Sequence, residues 1–194
     1  MKKLRNQEGV SSMTSNLEGR GEQLHQQKKE QLVVIVMGSK SDAEYVGGIT
    51  KVLEGFDVPY ETRVGSAHKS PEHTLSLVRE YNDRGNGVVF IAVAGRSNAL
   101  GGFIDASTVY PVVSAPPYSE KYGGADIFCS LRMPSGIGTT VAGEPETAAL
   151  AAIKILALNN PVLANKLLAR QREMREKIVA DDKEIEKSGF KMKI

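Results

Sequence analysis

The chain has 194 residues, with 25 basic against 23 acidic side chains and a formal net charge of +2. That balance gives no argument for nucleic acid or an anionic membrane as a partner, both of which need a concentrated basic face, and no window approaches the roughly 20 apolar residues of a membrane helix. The single cysteine, Cys129, rules out an intrachain disulfide and fits a reducing, cytoplasmic compartment.

Residues 1–31 are rich in Gln, Glu, Lys, Ser and Gly and have almost no apolar periodicity. Such a segment buries too little surface to offset its ordering entropy and is expected to be a disordered extension. It has no apolar core of a secretory signal, its glutamates argue against a transit peptide, and Met13 is a second candidate start. An α/β domain is expected over residues 32–187, followed by a tail at 188–194.

From Leu32 the pattern alternates. Leu32-Val33-Val34-Ile35-Val36-Met37 is an unbroken β-branched run, read as a strand buried on both faces. It stops at Gly38-Ser39-Lys40-Ser41-Asp42, and residues 43–55 carry Val46, Ile49, Val52 and Leu53 at helical spacing. Residues 57–64 read as a second extended run and 65–70 as a loop. Pro71 then suits the first turn of a helix capped by Ser70, which closes at Gly85. Residues 88–94 form a third strand, broken by Gly95-Arg96-Ser97-Asn98. A short helix through Leu100, Phe103 and Ile104, a fourth strand at 110–114, an irregular segment at 115–124 and a helix at 125–131 follow. A short fifth strand at 139–142 precedes two helices, 145–158 and 161–186, each with Pro in its first turn.

Strands alternating with helices imply a parallel sheet covered on both faces. The predicted fold class is α/β: a three-layer α/β/α, flavodoxin-like sheet of order 2-1-3-4-5 with C-terminal helices. In that order the first and third strands are neighbours at the switch point, and ligands bind beyond the carboxyl ends of the strands there. The first three strands end in the most polar, glycine-marked turns of the chain, so a site is expected where those turns meet.

Each residue of these turns has two readings. Ser39 and Ser41 cap the following helix, worth about 1 kcal/mol, or donate to a phosphate. Asp42 complements the helix dipole or accepts hydrogen bonds from ribose hydroxyls. His68 is a surface histidine or, with an ordinary pKa of about 6.5, an acid/base near neutrality. Lys69 and Arg96 are solvated charges or the cations that meet a phosphate dianion. Ser97 and Asn98 contact substrate or cap the next helix. Cys129 has no nearby histidine in sequence and reads as a small packed residue. Neither the Walker nor the G-x-G-x-x-G pattern is present, and no Cys/His/carboxylate cluster has metal-ligand spacing, so neither ATP, NAD nor a metal is expected. These residues by themselves point to a cofactor-free site for a small phosphorylated ligand with a histidine acid/base.

Met37-Gly38-Ser39-Lys40-Ser41-Asp42, Ser66-Ala67-His68-Lys69-Ser70-Pro71 and Ala94-Gly95-Arg96-Ser97-Asn98-Ala99-Leu100-Gly101 resemble the PurE family of purine biosynthesis. Tyr110-Pro111-Val112, Pro116-Pro117 and Ser130-Leu131-Arg132-Met133-Pro134-Ser135-Gly136 match in order, and the resemblance spans residues 32–186. One branch of the family is a mutase that moves the carboxylate of N5-carboxyaminoimidazole ribonucleotide to ring carbon C4; its third loop reads Ala-Ala-His-Leu-Pro-Gly. Lys69 and a third loop without His resemble instead the second branch, carboxylases that add carbon dioxide directly to aminoimidazole ribonucleotide.

The resemblance implies a phosphoribosylaminoimidazole carboxylase with His68 as general acid/base. Gly38, Ser39, Ser41, Asp42, Ser66, Ala67, Lys69, Gly95, Arg96, Ser97 and Asn98 would contact substrate. It implies no biotin, metal or ATP, carbon dioxide being a substrate. It also implies a homo-oligomer, an octamer in the family, to which the apolar stripe of the final helix is suited. The alternatives are the mutase and a non-catalytic flavodoxin-like module that binds a phosphate ligand. A phospho-receiver would need Asp where Ala94-Gly95 stands, and a flavin binder would be expected to show aromatic residues in these loops.

Overall fold

The computed structural model describes residues 31–85 and 87–189. The expected extension over residues 1–30 and the last five residues of the tail lie outside them. Strand β1 (Gln31–Met37) is the centre of the fold, and Val33, Val34, Ile35 and Val36 are all wholly buried. Val33 and Ile35 face the layer of α1 (Ala43–Gly55) and α5 (Pro145–Ala157), whereas Leu32, Val34 and Val36 face α2 (Pro71–Arg84) and α3 (Ala99–Asp105). Strand β3 (Gly87–Val93) divides in the same way, Val89, Ile91 and Val93 against Val88, Phe90 and Ala92. The strand period of two is present but hidden in the sequence, because helices cover both faces. Each buried Val or Ile contributes about 1.5–3 kcal/mol.

The remaining strands are β2 (Tyr60–Val64), β4 (Val112–Ser114) and β5 (Thr140–Val141). All five are parallel, in the order β2-β1-β3-β4-β5 that the sequence predicted. The register decides where ligands can bind. Met37 pairs with Val64 on one side and Val93 on the other, so three strands end level and release their turns side by side.

Several boundaries differ from expectation, and three of the differences have a clear local reason. Gln31 belongs to β1, not to the extension; its side chain donates to Leu156 O at 2.7 Å and accepts from Asn160 Nδ2 at 2.8 Å. Strand β2 starts at Tyr60 instead of 57 because Phe56, Asp57 and Val58 close α1: Val58 N donates to Leu53 O, and Asp57 adopts a left-handed φ of 55°. Strand β4 starts at Val112 because Pro111 has no N–H and Tyr110 N turns back to Thr108 Oγ1. Ser70 stands at the N-cap of α2, yet its hydroxyl makes no cap; its carbonyl accepts from Thr74 N and Thr74 Oγ1 instead.

Between β4 and β5 the chain forms 3-10 turns at Glu120–Tyr122 and Ala125–Ile127, the latter running into α4 (Phe128–Leu131). The final helix, α6 (Pro161–Ser188), packs on the domain only through its first turns, where Leu163 is buried and Leu167 touches the core. Met174, Ile178, Val179 and Ile185 are exposed farther along. Packing on its own domain therefore accounts for only the start of the apolar stripe.

Candidate active site

The three level strand ends build one cavity of about 410 Å³. Gly38 N donates to Val93 O at 2.8 Å and Gly65 N to Met37 O at 3.0 Å, so the ladders run on into the first and second loops. A Cβ on Gly38 would lie 3.5 Å from Ala94 Cβ, ordinary contact, so intrachain packing does not demand glycine there. Gly65 is different. A Cβ on it would meet Thr74 Oγ1 at 3.0 Å and Val36 Cγ1 at 3.2 Å, which explains how α2 can lie so close behind the second loop.

In the first loop Ser39 caps the 3-10 turn Lys40–Asp42. Its Oγ accepts from Ser41 N at 3.3 Å and from Ser41 Oγ at 3.1 Å, and its own N–H donates to Asp42 Oδ2 at 3.0 Å. This is a reciprocal capping box. Burial pushes the Asp42 carboxyl above its usual range, opposed by the Ser39 N–H and the charge of Lys69.

The second loop is organised by Ser66, whose Oγ accepts from Lys69 N at 3.2 Å and whose carbonyl accepts from Ser70 N. That turn presents His68 and Lys69, both exposed, at the cavity rim. His73 also is exposed, and its Nε2 lies 3.2 Å from Val64 O, away from the cavity lining.

The third loop carries an unusual backbone. Arg96 has a φ of 59°, left-handed for a residue with a side chain. Its N–H donates to Asp126 Oδ2 at 3.3 Å, and its carbonyl accepts from Cys129 Sγ at 3.1 Å. Cys129 is exposed, not the small packed residue expected, and its thiol bridges this loop to the segment at 125–131.

Eleven of the twelve residues expected from sequence line the cavity: Gly38, Ser39, Ser41, Asp42, Ser66, Ala67, His68, Lys69, Gly95, Arg96 and Ser97. Asn98 does not. It is buried beneath the loop, where Nδ2 donates to Ser130 Oγ at 2.9 Å and N–H donates to Cys129 Sγ at 3.3 Å. Its side chain faces a second, apolar hollow bounded by Gly102, Ala106, Met133, Pro134 and Ile137. Ala94 and Leu100 line the first cavity without having been singled out; Leu100 reads in sequence as ordinary helix core. Among the described residues, no three His, Cys, Asp or Glu side chains gather as a metal would require, and no helix is long and apolar enough to cross a membrane.

Two cations, a histidine, a carboxylate and several hydroxyls thus share one polar hollow at the switch point of a parallel sheet. Such a set can hold a phosphorylated ligand by charge-assisted hydrogen bonds while the imidazole exchanges a proton.

Comparison with known proteins gives the same direction. A family model described as AIR carboxylase matches residues 32–177. A phosphoribosylaminoimidazole carboxylase of Archaeoglobus fulgidus is 48% identical over 152 residues, covering 78% of this chain and 83% of the relative. A bifunctional phosphoribosylaminoimidazole carboxylase/phosphoribosylaminoimidazole succinocarboxamide synthetase of Rattus norvegicus is 40% identical over 181 residues, 92% of this chain but only 43% of that protein. The crystal structure of Treponema denticola PurE superposes with a TM-score of 0.78 at 40% identity, covering 80% of this chain and 98% of that one. The chain belongs to the AIR carboxylase family.

Proposed function

We propose that this protein is a phosphoribosylaminoimidazole carboxylase, adding carbon dioxide to C4 of 5-aminoimidazole ribonucleotide to give the 4-carboxy compound on the route to purine nucleotides. The observation that carries the reading is the convergence of His68, Lys69, Arg96 and Asp42 on one cavity formed by three level strand ends. The substrate is a ribose 5-phosphate bearing an electron-rich, enamine-like ring. Lys69 or Arg96 meets the phosphate, and Asp42, held by the Ser39 N–H, accepts from ribose hydroxyls through its remaining lone pairs. Ser39, Ser41, Ser66 and Ser97 supply further donors, and Gly38 and Gly95 admit the ligand close to the backbone.

In the reaction, C4 attacks the carbon of carbon dioxide and a carbon–carbon bond forms. The adduct carries an extra proton on C4. His68 takes it, the electron pair of the C4–H bond returns to the ring, and aromaticity is restored; the reverse sequence is decarboxylation. Nothing in this scheme requires biotin, a metal or ATP. Carbon dioxide offers little for a protein to hold, so catalysis rests on positioning the ring and imidazole together.

Lys69 and the third loop, with Arg96-Ser97-Asn98 and no histidine, favour the carboxylase over the mutase branch. A cytoplasmic homo-oligomer, an octamer by resemblance, is part of this reading. Support comes from the exposed apolar side chains on the outer part of α6, whose cover a second copy would supply. The assay offers the purified protein aminoimidazole ribonucleotide with carbon dioxide and, separately, the N5-carboxy compound. Faster initial consumption of the first is expected; faster consumption of the second would make the protein a mutase, and consumption of neither would leave a binding module.

A further inference from the structure

Arg96 is held in a left-handed conformation, which costs free energy for any residue with a Cβ. The restraint comes from 30 to 33 residues away in sequence, from the helical segment at 125–131. The Asp126 carboxylate accepts from the Arg96 N–H, and the Cys129 thiol donates to the Arg96 carbonyl, so both peptide groups flanking its Cα are held. The same sulfur accepts from Asn98 N–H, and Ser130 Oγ accepts from Asn98 Nδ2, which fixes the loop's far end. The thiol hydrogen is shared with the Asp126 backbone carbonyl at 2.8 Å, which ties the Cys129 side chain to its own helical turn. None of these three anchoring residues lines the substrate cavity.

We propose that Asp126 and Cys129 are positioning residues for the reaction: they hold Arg96 in its strained conformation and thereby aim its guanidinium at the substrate phosphate. Asp126 carries the larger share, since a carboxylate is a stronger acceptor than a thiol is a donor. Substrate affinity is thus set partly from a segment that lies outside the cavity lining. The inference rests on the reading that Arg96 meets the phosphate, and the test separates the two.

Steady-state kinetics are measured for Arg96→Ala, Asp126→Ala, Asp126→Asn and the double variant Asp126→Ala/Arg96→Ala. Asp126→Ala is expected to raise KM for the ribonucleotide about fivefold with kcat within about twofold, as coupling between contacting residues allows. Asp126→Asn, which keeps an acceptor oxygen, restores KM. The double variant is no worse than Arg96→Ala alone, because the anchor has nothing left to aim. An effect of Asp126→Ala that persists undiminished in the double variant would mean only a structural role, and would overturn the proposal. So would an unchanged KM in Asp126→Ala when Arg96→Ala raises it. An unchanged KM in Arg96→Ala itself would remove the phosphate role and the positioning role together. If Asp126→Ala does not fold, Cys129→Ala against Cys129→Ser makes the same comparison: KM raised in the first and restored in the second supports positioning, and equal values contradict it.

Discussion

The Asp42 carboxylate accepts a hydrogen bond from the Ser39 backbone N–H at 3.0 Å, so the acid is fixed in place before a ligand binds. One oxygen is spent on the capping box and the other is left for the cavity. The capping bond and the proposed ribose contact are thus compatible uses of one side chain. Asp42→Asn keeps an acceptor for Ser39 and is expected to preserve folding while weakening ribonucleotide binding. Asp42→Ala loses both, at a cost of about 1 kcal/mol in unfolding free energy from the cap. Denaturant titration alongside a binding isotherm separates the two, and equal binding by Asn and wild type would remove the ribose role.

Lys69 pulls the Asp42 carboxyl downward against burial, so the two charges act on each other across the cavity. Removing the lysine leaves only the Ser39 N–H to oppose the effect of burial. Lys69→Ala is expected to weaken ribonucleotide affinity by roughly ten- to hundredfold, in line with the 1.5–3 kcal/mol of a hydrogen bond to a charged group. Calorimetry checks this, and unchanged affinity would assign the phosphate to Arg96 alone.

The edge strand β2 is clamped to α2 by ionic contacts around Tyr81. Arg84 pairs with Glu61 at 2.6 Å and Glu80 at 2.7 Å, Arg63 pairs with Glu80, and Tyr81 Oη donates to Glu61 Oε2 at 2.7 Å. The Arg84 hydrogen bond, then that of Tyr81, holds the Glu61 carboxyl below its ordinary value of 4.5. A depressed carboxyl contributes stability that is present above its unfolded pKa and lost as pH falls through the folded one. Stability is therefore expected to decline on acidification below about pH 4.5, and Glu61→Gln is expected to flatten that decline. The pairs are solvent-exposed, so the change at neutral pH is small. Unfolding titrations at several pH values measure both slopes, and identical slopes would exclude Glu61 as a contributor.

How far the sequence disclosed this site depends on where each restraint lies. Strands β1 and β3 were legible as unbroken apolar runs, and α2, α5 and α6 by prolines in their first turns. The cavity itself followed from topology, since level strand ends bring glycine-marked turns together. The direction of Asn98 was not legible. A small polar loop residue turns inward or outward according to its partner, and that partner, Ser130, is 32 positions away. The exposure and bridging role of Cys129 were hidden for the same reason, since Arg96 is 33 positions from it. Asp57 concealed the start of β2 because the left-handed closure of α1 has no strong mark in its sequence.

The central claim is that His68 moves the C4 proton while the surrounding loops only hold the substrate. The most direct measurement compares His68→Asn with wild type in two readouts, carboxylation rate and ribonucleotide affinity. The account predicts a carboxylation rate lower by about 10²–10⁴-fold, the usual contribution of a general acid/base, with affinity within about twofold because the phosphate and ribose contacts remain. Full turnover by His68→Asn would contradict it.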